Sequence, residues 1–131
     1  PGLMTGYWNN HTATVPTLRN GWMHTGDLGY ADDDHFIFIV DRKKDMIISG
    51  GENIYSWEVE EALRSHPDIA EAAVIGVPDD EWGESVKAFV VVRPGTRPVA
   101  EALIAHCRAR IASYKKPRSI EFVDALPRLF N

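Results

Sequence analysis

The sequence predicts an α+β fold, a small sheet of about three main strands flanked by helices and preceded by a short β-rich segment. Apolar β-branched runs and amphipathic runs follow one another from Met46 in the order strand, helix, strand, strand, helix, strand. Two of these runs space their apolar residues at helical intervals, and neither an internal repeat nor a low-complexity segment interrupts them. The 131 residues are 44% hydrophobic and 25% charged, an ordinary composition for one domain with its own core and an attached segment.

From Pro1 to Asn20, the run Asn9-Asn10-His11-Thr12 and the isolated Pro16 read as loop, with a short helical turn over Val15 to Arg19. Phe36-Ile-Phe-Ile-Val40 is wholly apolar and follows the acidic turn Asp32-Asp33-Asp34, which predicts a buried strand after a hairpin turn. A charged cluster from Asp41 to Asp45 then separates two apolar runs and sets a boundary, with residues 1–41 on one side and 42–131 on the other.

Met46-Ile-Ile48 reads as a strand and Ser49-Gly50-Gly51 as a turn. Ser56 is the predicted N-cap of a helix from Trp57 to Ser65, with Glu58, Glu60 and Glu61 near the positive end of its dipole. Val59, Ala62 and Leu63 supply its apolar face, and Pro67 ends it. Ile69 to Val77 and Ser85 to Val92 are strands, joined by an acidic turn that holds Trp82 and Gly83. Val99 to Ser113 is an amphipathic helix with Leu103, Cys107 and Ile111 on one face and Arg108 and Arg110 turned to solvent. Ile120-Glu-Phe-Val123 is the last strand.

Several function classes are disfavoured. A net charge of −5 and a sequence pI of about 5.5 leave no excess positive charge for coating nucleic acid. The one cysteine, Cys107, has no disulfide partner and reads as a packed thiol. No apolar run approaches the ~20 residues of a membrane helix, and the start does not resemble a secretory leader, so a cytoplasmic protein without an integral membrane segment is expected. His11, His24, His35, His66 and His106 show no metal-ligand spacing, and no site for a metal is predicted. Neither a G-x-S-x-G elbow nor a dinucleotide fingerprint is present.

The stretch from Gly21 to Ile54 carries the chemistry: Asp27, Arg42 and the pair Gly50-Gly51. A carboxylate can accept hydrogen bonds from both hydroxyls of a vicinal diol, a guanidinium fork can pair with phosphate or ribose oxygens, and glycines let a ligand approach the backbone. Each also has a simpler reading: a turn aspartate, a surface ion pair of Arg42 with Asp41 or Asp45, and a tight turn.

The ordered motifs Trp22-Met-His-Thr-Gly-Asp27, Asp41-Arg42-Lys43-Lys44-Asp45, Ser49-Gly-Gly-Glu-Asn-Ile-Tyr-Ser-Trp-Glu58, Asp79-Asp-Glu-Trp82-Gly83 and Tyr114-Lys-Lys-Pro-Arg118 together resemble the adenylate-forming superfamily, in particular the AMP-forming acyl-CoA synthetases. The resemblance runs from Gly6-Tyr7-Trp8 to Leu126-Pro127-Arg128. It implies that residues 1–41 close a large N-terminal AMP-binding domain and that 42–131 form the mobile C-terminal domain, cut before a catalytic lysine that the family places beyond Asn131. This makes the chain look like an excised piece that partners its own N-terminal domain and lacks turnover alone.

By the same resemblance, a fatty or aryl carboxylic acid reacts with ATP, accompanied by Mg²⁺, to give an acyl-adenylate, and the thiol of CoA then displaces AMP. Asp27 and Arg42 would bind the nucleotide sugar, Lys44 would be the hinge, and Ser49, Gly50, Gly51 and Glu52 would line the path of the pantetheine arm. Trp82 and Tyr114 would flank CoA, and Lys116 and Arg118 would meet its phosphates. Core packing for the two aromatics and a solvated turn for the two cations remain open, as do loading of a carrier protein and a non-catalytic interaction module of the same fold.

Overall fold

A computed structural model of the chain describes residues 2–128. The backbone divides into two compact units, with the break between Lys44 and Asp45.

The first unit opens with helix α1 (His11–Thr17), capped by the Asn10 side chain, which accepts a hydrogen bond from the Ala13 amide at 3.0 Å. The helix therefore lies earlier than the turn expected at Val15 to Arg19, whose end instead forms strand β1 (Leu18–Arg19). β1 pairs with β2 (Trp22–Met23) across Asn20 and Gly21, at φ 54° and 77°. Positive φ at both positions gives this two-residue turn the twist of the flanking strands.

β3 (Asp27–Ala31) and β4 (Ile37–Arg42) form an antiparallel ribbon. The Asp32 carboxylate closes its turn by accepting the amides of Asp34 and Phe36 at 3.0 and 2.9 Å. The hairpin is as expected, but the burial of Phe36 to Val40 is met only at Val40, which is half-buried: Ile37 and Ile39 are 76% and 65% exposed. A two-stranded ribbon has two faces, and the few residues of this unit cover neither. Tyr30 stacks on Phe38 opposite it, ring centroids 5.2 Å apart.

The second unit is α+β, as the sequence predicts, with helices packed against a five-stranded sheet. β5 (Ile47–Ser49) turns at Gly50-Gly51 into β6 (Glu52–Ile54), a short strand the sequence reading passes over. After helix α2 (Ser56–Arg64), the long strands β7 (Ile69–Asp79) and β8 (Gly83–Val92) pair antiparallel. Helix α3 (Ala100–Arg108) leads to β9 (Ser119–Phe122), which pairs parallel with β8. β8 is the common strand: β7 runs along one side, and β5 and β9 meet the other. Pro78 is tolerated near the end of β7 because β7 is an edge strand.

Val86, Ala88 and Val90 alternate along β8 toward the core, where they join Val59 and Leu63 of α2 and Leu103 and Cys107 of α3. Ser56 is the first residue of α2 rather than its cap; Tyr55 holds the cap position without a side-chain hydrogen bond. Glu60 pins α2 to the sheet by accepting the Val74 amide at 3.0 Å, while also pairing with Arg64 at 3.3 Å. α3 ends before the expected Ser113 because the Arg110 amide bonds to the Cys107 carbonyl in a tightened last turn. Ile111 still packs against the core from beyond the helix.

A polar cluster joins the C-terminal ends of the two helices. Ser65 donates its hydroxyl to the Ala62 carbonyl at 2.7 Å, and so accepts from Nε2 of His106 at 2.9 Å. Nδ1 of His106 then faces Arg110 at 3.1 Å, while the His66 ring meets His106 edge-on and Asp68 lies 4.0 Å from His66. Burial first, then Arg110 and His66, hold the His106 pKa below its ordinary 6.5. As pH falls below that value the unfolded chain takes up a proton that the folded chain resists, so stability falls with it. Urea melts between pH 5 and 8 are expected to show this slope, and His106→Gln to flatten it.

Candidate functional site

Asp27 is the first residue of β3 and Arg42 the last of β4, and the register sets them directly opposite. Nε of Arg42 lies 3.7 Å from the Asp27 carboxylate. The sequence left Arg42 a choice of Asp41 or Asp45 as a surface partner; the structure pairs it with Asp27, while the Asp41 carboxylate accepts Arg42's own amide at 2.7 Å. The local frame comes from Gly26, at φ 82°, whose carbonyl accepts the Lys43 amide at 2.7 Å. An open hollow of about 480 Å³ beside it is lined by Thr25, Gly26, Arg42, Lys43 and Lys44. An exposed pair at this distance is worth little to stability, so its acceptor and donor are available to a ligand that bears hydroxyls and an anion. Lys44 is exposed, in the turn between β4 and β5, and is the last residue of the first unit.

The second group gathers on the β5–β6 hairpin. Ser49 and Glu52 face each other across Gly50 and Gly51, which stand at φ 60° and 83°. Ile47 and Ile54 pair at the base of the hairpin and are buried in the core. At its tip the Gly50 amide donates to the Trp82 carbonyl at 2.8 Å, and a Cβ on Gly50 would lie 2.7 Å from the Trp82 ring. Gly51, by contrast, looks onto open space. Trp82 is 38% exposed and therefore no core aromatic. The Arg118 guanidinium lies over its ring, 4.9 Å from the centroid.

Asp79 organises the turn beneath this stack, accepting the amides of Glu81 and Trp82 at 3.0 Å each. The Trp82 amide is the main cause that holds its carboxyl below the ordinary range; burial opposes it, and the Glu81 amide, Arg118 and Ser85 add to it. The structure thus brings Ser49, Gly50, Gly51 and Glu52 together with Trp82 and Arg118.

Tyr114 and Lys116 stand on the turn that leads into buried Pro117. Tyr114 is exposed, which excludes core packing, and Lys116 donates to the Ser113 carbonyl at 2.9 Å. Their neighbour Lys115 does something different: its ammonium pairs with Glu58 of α2 at 2.6 Å and ties this turn to the helix. The hydrogen bond to Glu58 raises its pKa against the opposing effect of burial.

Sequence reasoning missed Glu84, whose carboxylate accepts the Ile48 amide at 2.7 Å across 36 positions of chain. The only available signal was an acid at the polar start of an otherwise apolar strand. Cys107 is the packed thiol expected of it: burial pushes it up to about 11, with Arg110 pulling the other way. Among the described residues no group of three His, Cys, Asp or Glu side chains could hold a metal ion, and no helix is long and apolar enough to cross a membrane.

Residues 58–129 match the family described as the AMP-binding enzyme C-terminal domain. The 2-succinylbenzoate–CoA ligase of Geobacillus kaustophilus is 51% identical over 98% of the chain. A long-chain-fatty-acid–CoA ligase of Bacillus subtilis is 52% identical over 98%. Among solved structures, o-succinylbenzoate CoA synthetase from Bacillus subtilis, in complex with its acyl-adenylate intermediate, superposes with a TM-score of 0.87 at 44% identity over 96% of the chain. The chain spans about a quarter of the length of these relatives: 26% of the Geobacillus ligase, 23% of the fatty-acid ligase and 26% of the solved synthetase.

Proposed function

The chain belongs to the AMP-binding enzyme C-terminal domain family of the adenylate-forming acyl-CoA ligases, and from that premise we propose that it works as the mobile part of an ATP-dependent acid–CoA ligase. The residues up to Asp41 close the large nucleotide-binding domain and the C-terminal domain starts at Arg42; the part beyond Lys44 swings about that residue, while Arg42 stays beside Asp27. In the first half-reaction a fatty or aryl carboxylate attacks the α-phosphorus of ATP, forming a mixed anhydride and expelling pyrophosphate. In the second, the CoA thiol attacks the acyl carbon, the C–O bond to phosphate breaks, and AMP leaves as acyl-CoA forms.

Asp27 accepts the ribose hydroxyls and Arg42 donates to the same nucleotide. Mg²⁺ enters with the ATP phosphates, whose charge it offsets. After the swing, Gly50 and Gly51 admit the slender pantetheine arm, with Ser49 and Glu52 beside them. Trp82 and Tyr114 cover the CoA base, and Lys116 and Arg118 pair with its phosphates. ATP and CoA are both abundant in the cytoplasm, which agrees with a reaction there. The observation that most favours this reading is the register pair Asp27 and Arg42, an acceptor and a donor side by side, Arg42 lining the hollow of about 480 Å³ and Asp27 a second one of about 510 Å³.

In the intact ligase Asp27→Ala is expected to lower ATP–pyrophosphate exchange about a hundredfold or more, the loss of a charge-assisted hydrogen bond to each sugar hydroxyl. Arg42→Ala is expected to act in the same direction, and the 131-residue chain alone is expected to give no exchange. Wild-type exchange by the Asp27 variant would reject the assignment.

A further inference from the structure

The β5–β6 hairpin is fixed at its base by Ile47 and Ile54, but its tip has little ladder to rest on. Among the described residues β5 meets β8 at the single register pair Ser49 and Gly83. Two further bonds hold the tip: the Gly50 amide to the Trp82 carbonyl at 2.8 Å, and the Ile48 amide to the Glu84 carboxylate at 2.7 Å. The second replaces a missing ladder bond with a side chain. It needs room, and Gly76 of β7 supplies it, since a Cβ there would lie 3.1 Å from the Glu84 carboxylate. Gly76 does not stand at positive φ, so close approach rather than backbone conformation is what its bareness serves.

We propose that Glu84 is a positioning residue for the diglycine turn, holding Gly50 and Gly51 in the geometry that thioester formation requires while taking no part in adenylation. The proposal rests on the reading of the diglycine as the CoA path. Removing the acceptor leaves the Ile48 amide without its partner and frees the strand that leads into the turn.

The test compares Glu84→Ala with Glu84→Gln, whose amide oxygen can still accept from Ile48. In the intact ligase Glu84→Ala is expected to lower the kcat of acyl transfer from adenylate to CoA about tenfold, with ATP–pyrophosphate exchange within about twofold of wild type. Glu84→Gln should restore most of the transfer rate. In the 131-residue chain, hydrogen exchange at the Ile48 and Gly50 amides should accelerate in the alanine variant while Val86 and Val90 stay protected. Equal loss in both half-reactions, equal loss in both variants, or unchanged exchange at Ile48 and Gly50 would overturn the proposal. A wild-type enzyme that forms no thioester with free CoA would instead reject the CoA reading, and the amide exchange would still decide whether Glu84 holds the turn.

Discussion

Replacing Leu63 with alanine is expected to destabilise the unit that begins at Asp45 by about 2–5 kcal/mol. Leu63 is 0% exposed and lies with Val59 on the face of α2 that meets the core. Truncation removes apolar area from the folded state and leaves a cavity that the flanking β-sheet cannot collapse into, because β7 and β8 are fixed by a long ladder. Urea unfolding followed by far-ultraviolet circular dichroism measures the loss, with Leu63→Met as the volume-conserving control at under about 1.5 kcal/mol. A loss below about 1 kcal/mol for the alanine variant would mean that α2 is not docked as described.

Gly50→Ala is the second large effect. Gly50 stands at φ 60°, and the new Cβ would lie 2.7 Å from the Trp82 ring. Backbone strain and the ring contact act together, for about 1–3 kcal/mol of local destabilisation. In the intact ligase thioester formation should fall tenfold or more, with adenylation retained. Gly51→Ala separates the two causes, since Gly51 shares the positive φ but has nothing within 4 Å of a Cβ. Trp82→Ala in the Gly50→Ala background should recover the steric part of the stability loss and leave the strain. Additive losses in that double-mutant cycle would show that the ring does not press on the turn.

The second unit was legible because its elements are long enough to show a period. α2, β7, β8 and α3 each carry the apolar spacing of their class, and the structure differs from the reading mainly at their ends. β6 was invisible because Glu52-Asn53-Ile54 offers one apolar residue and no pattern. The Asn20-Gly21 turn was readable and passed over: it is a strong local hairpin signal, overshadowed by a polar stretch that looked like loop. Nothing in Phe36 to Val40 states what covers it, because periodicity reports which residues prefer burial and not whether a neighbour is present. Similarly, the diglycine announced itself locally, while its dependence on Trp82 and Glu84 did not. Those contacts join residues that are neighbours only once β5 has met β8.

β8 gives the second unit one further property. Its start meets Ser49 through Gly83, and the Val86 carbonyl accepts the Arg118 amide at 2.8 Å. The diglycine turn and the segment carrying Arg118 are thus referenced to a single strand. Their mutual spacing is set by bonds inside this unit. Such a surface is a cassette: its two segments keep their alignment with each other for as long as β8 keeps its register. A one-residue insertion between Gly83 and Val86 would put the two halves of that surface out of phase.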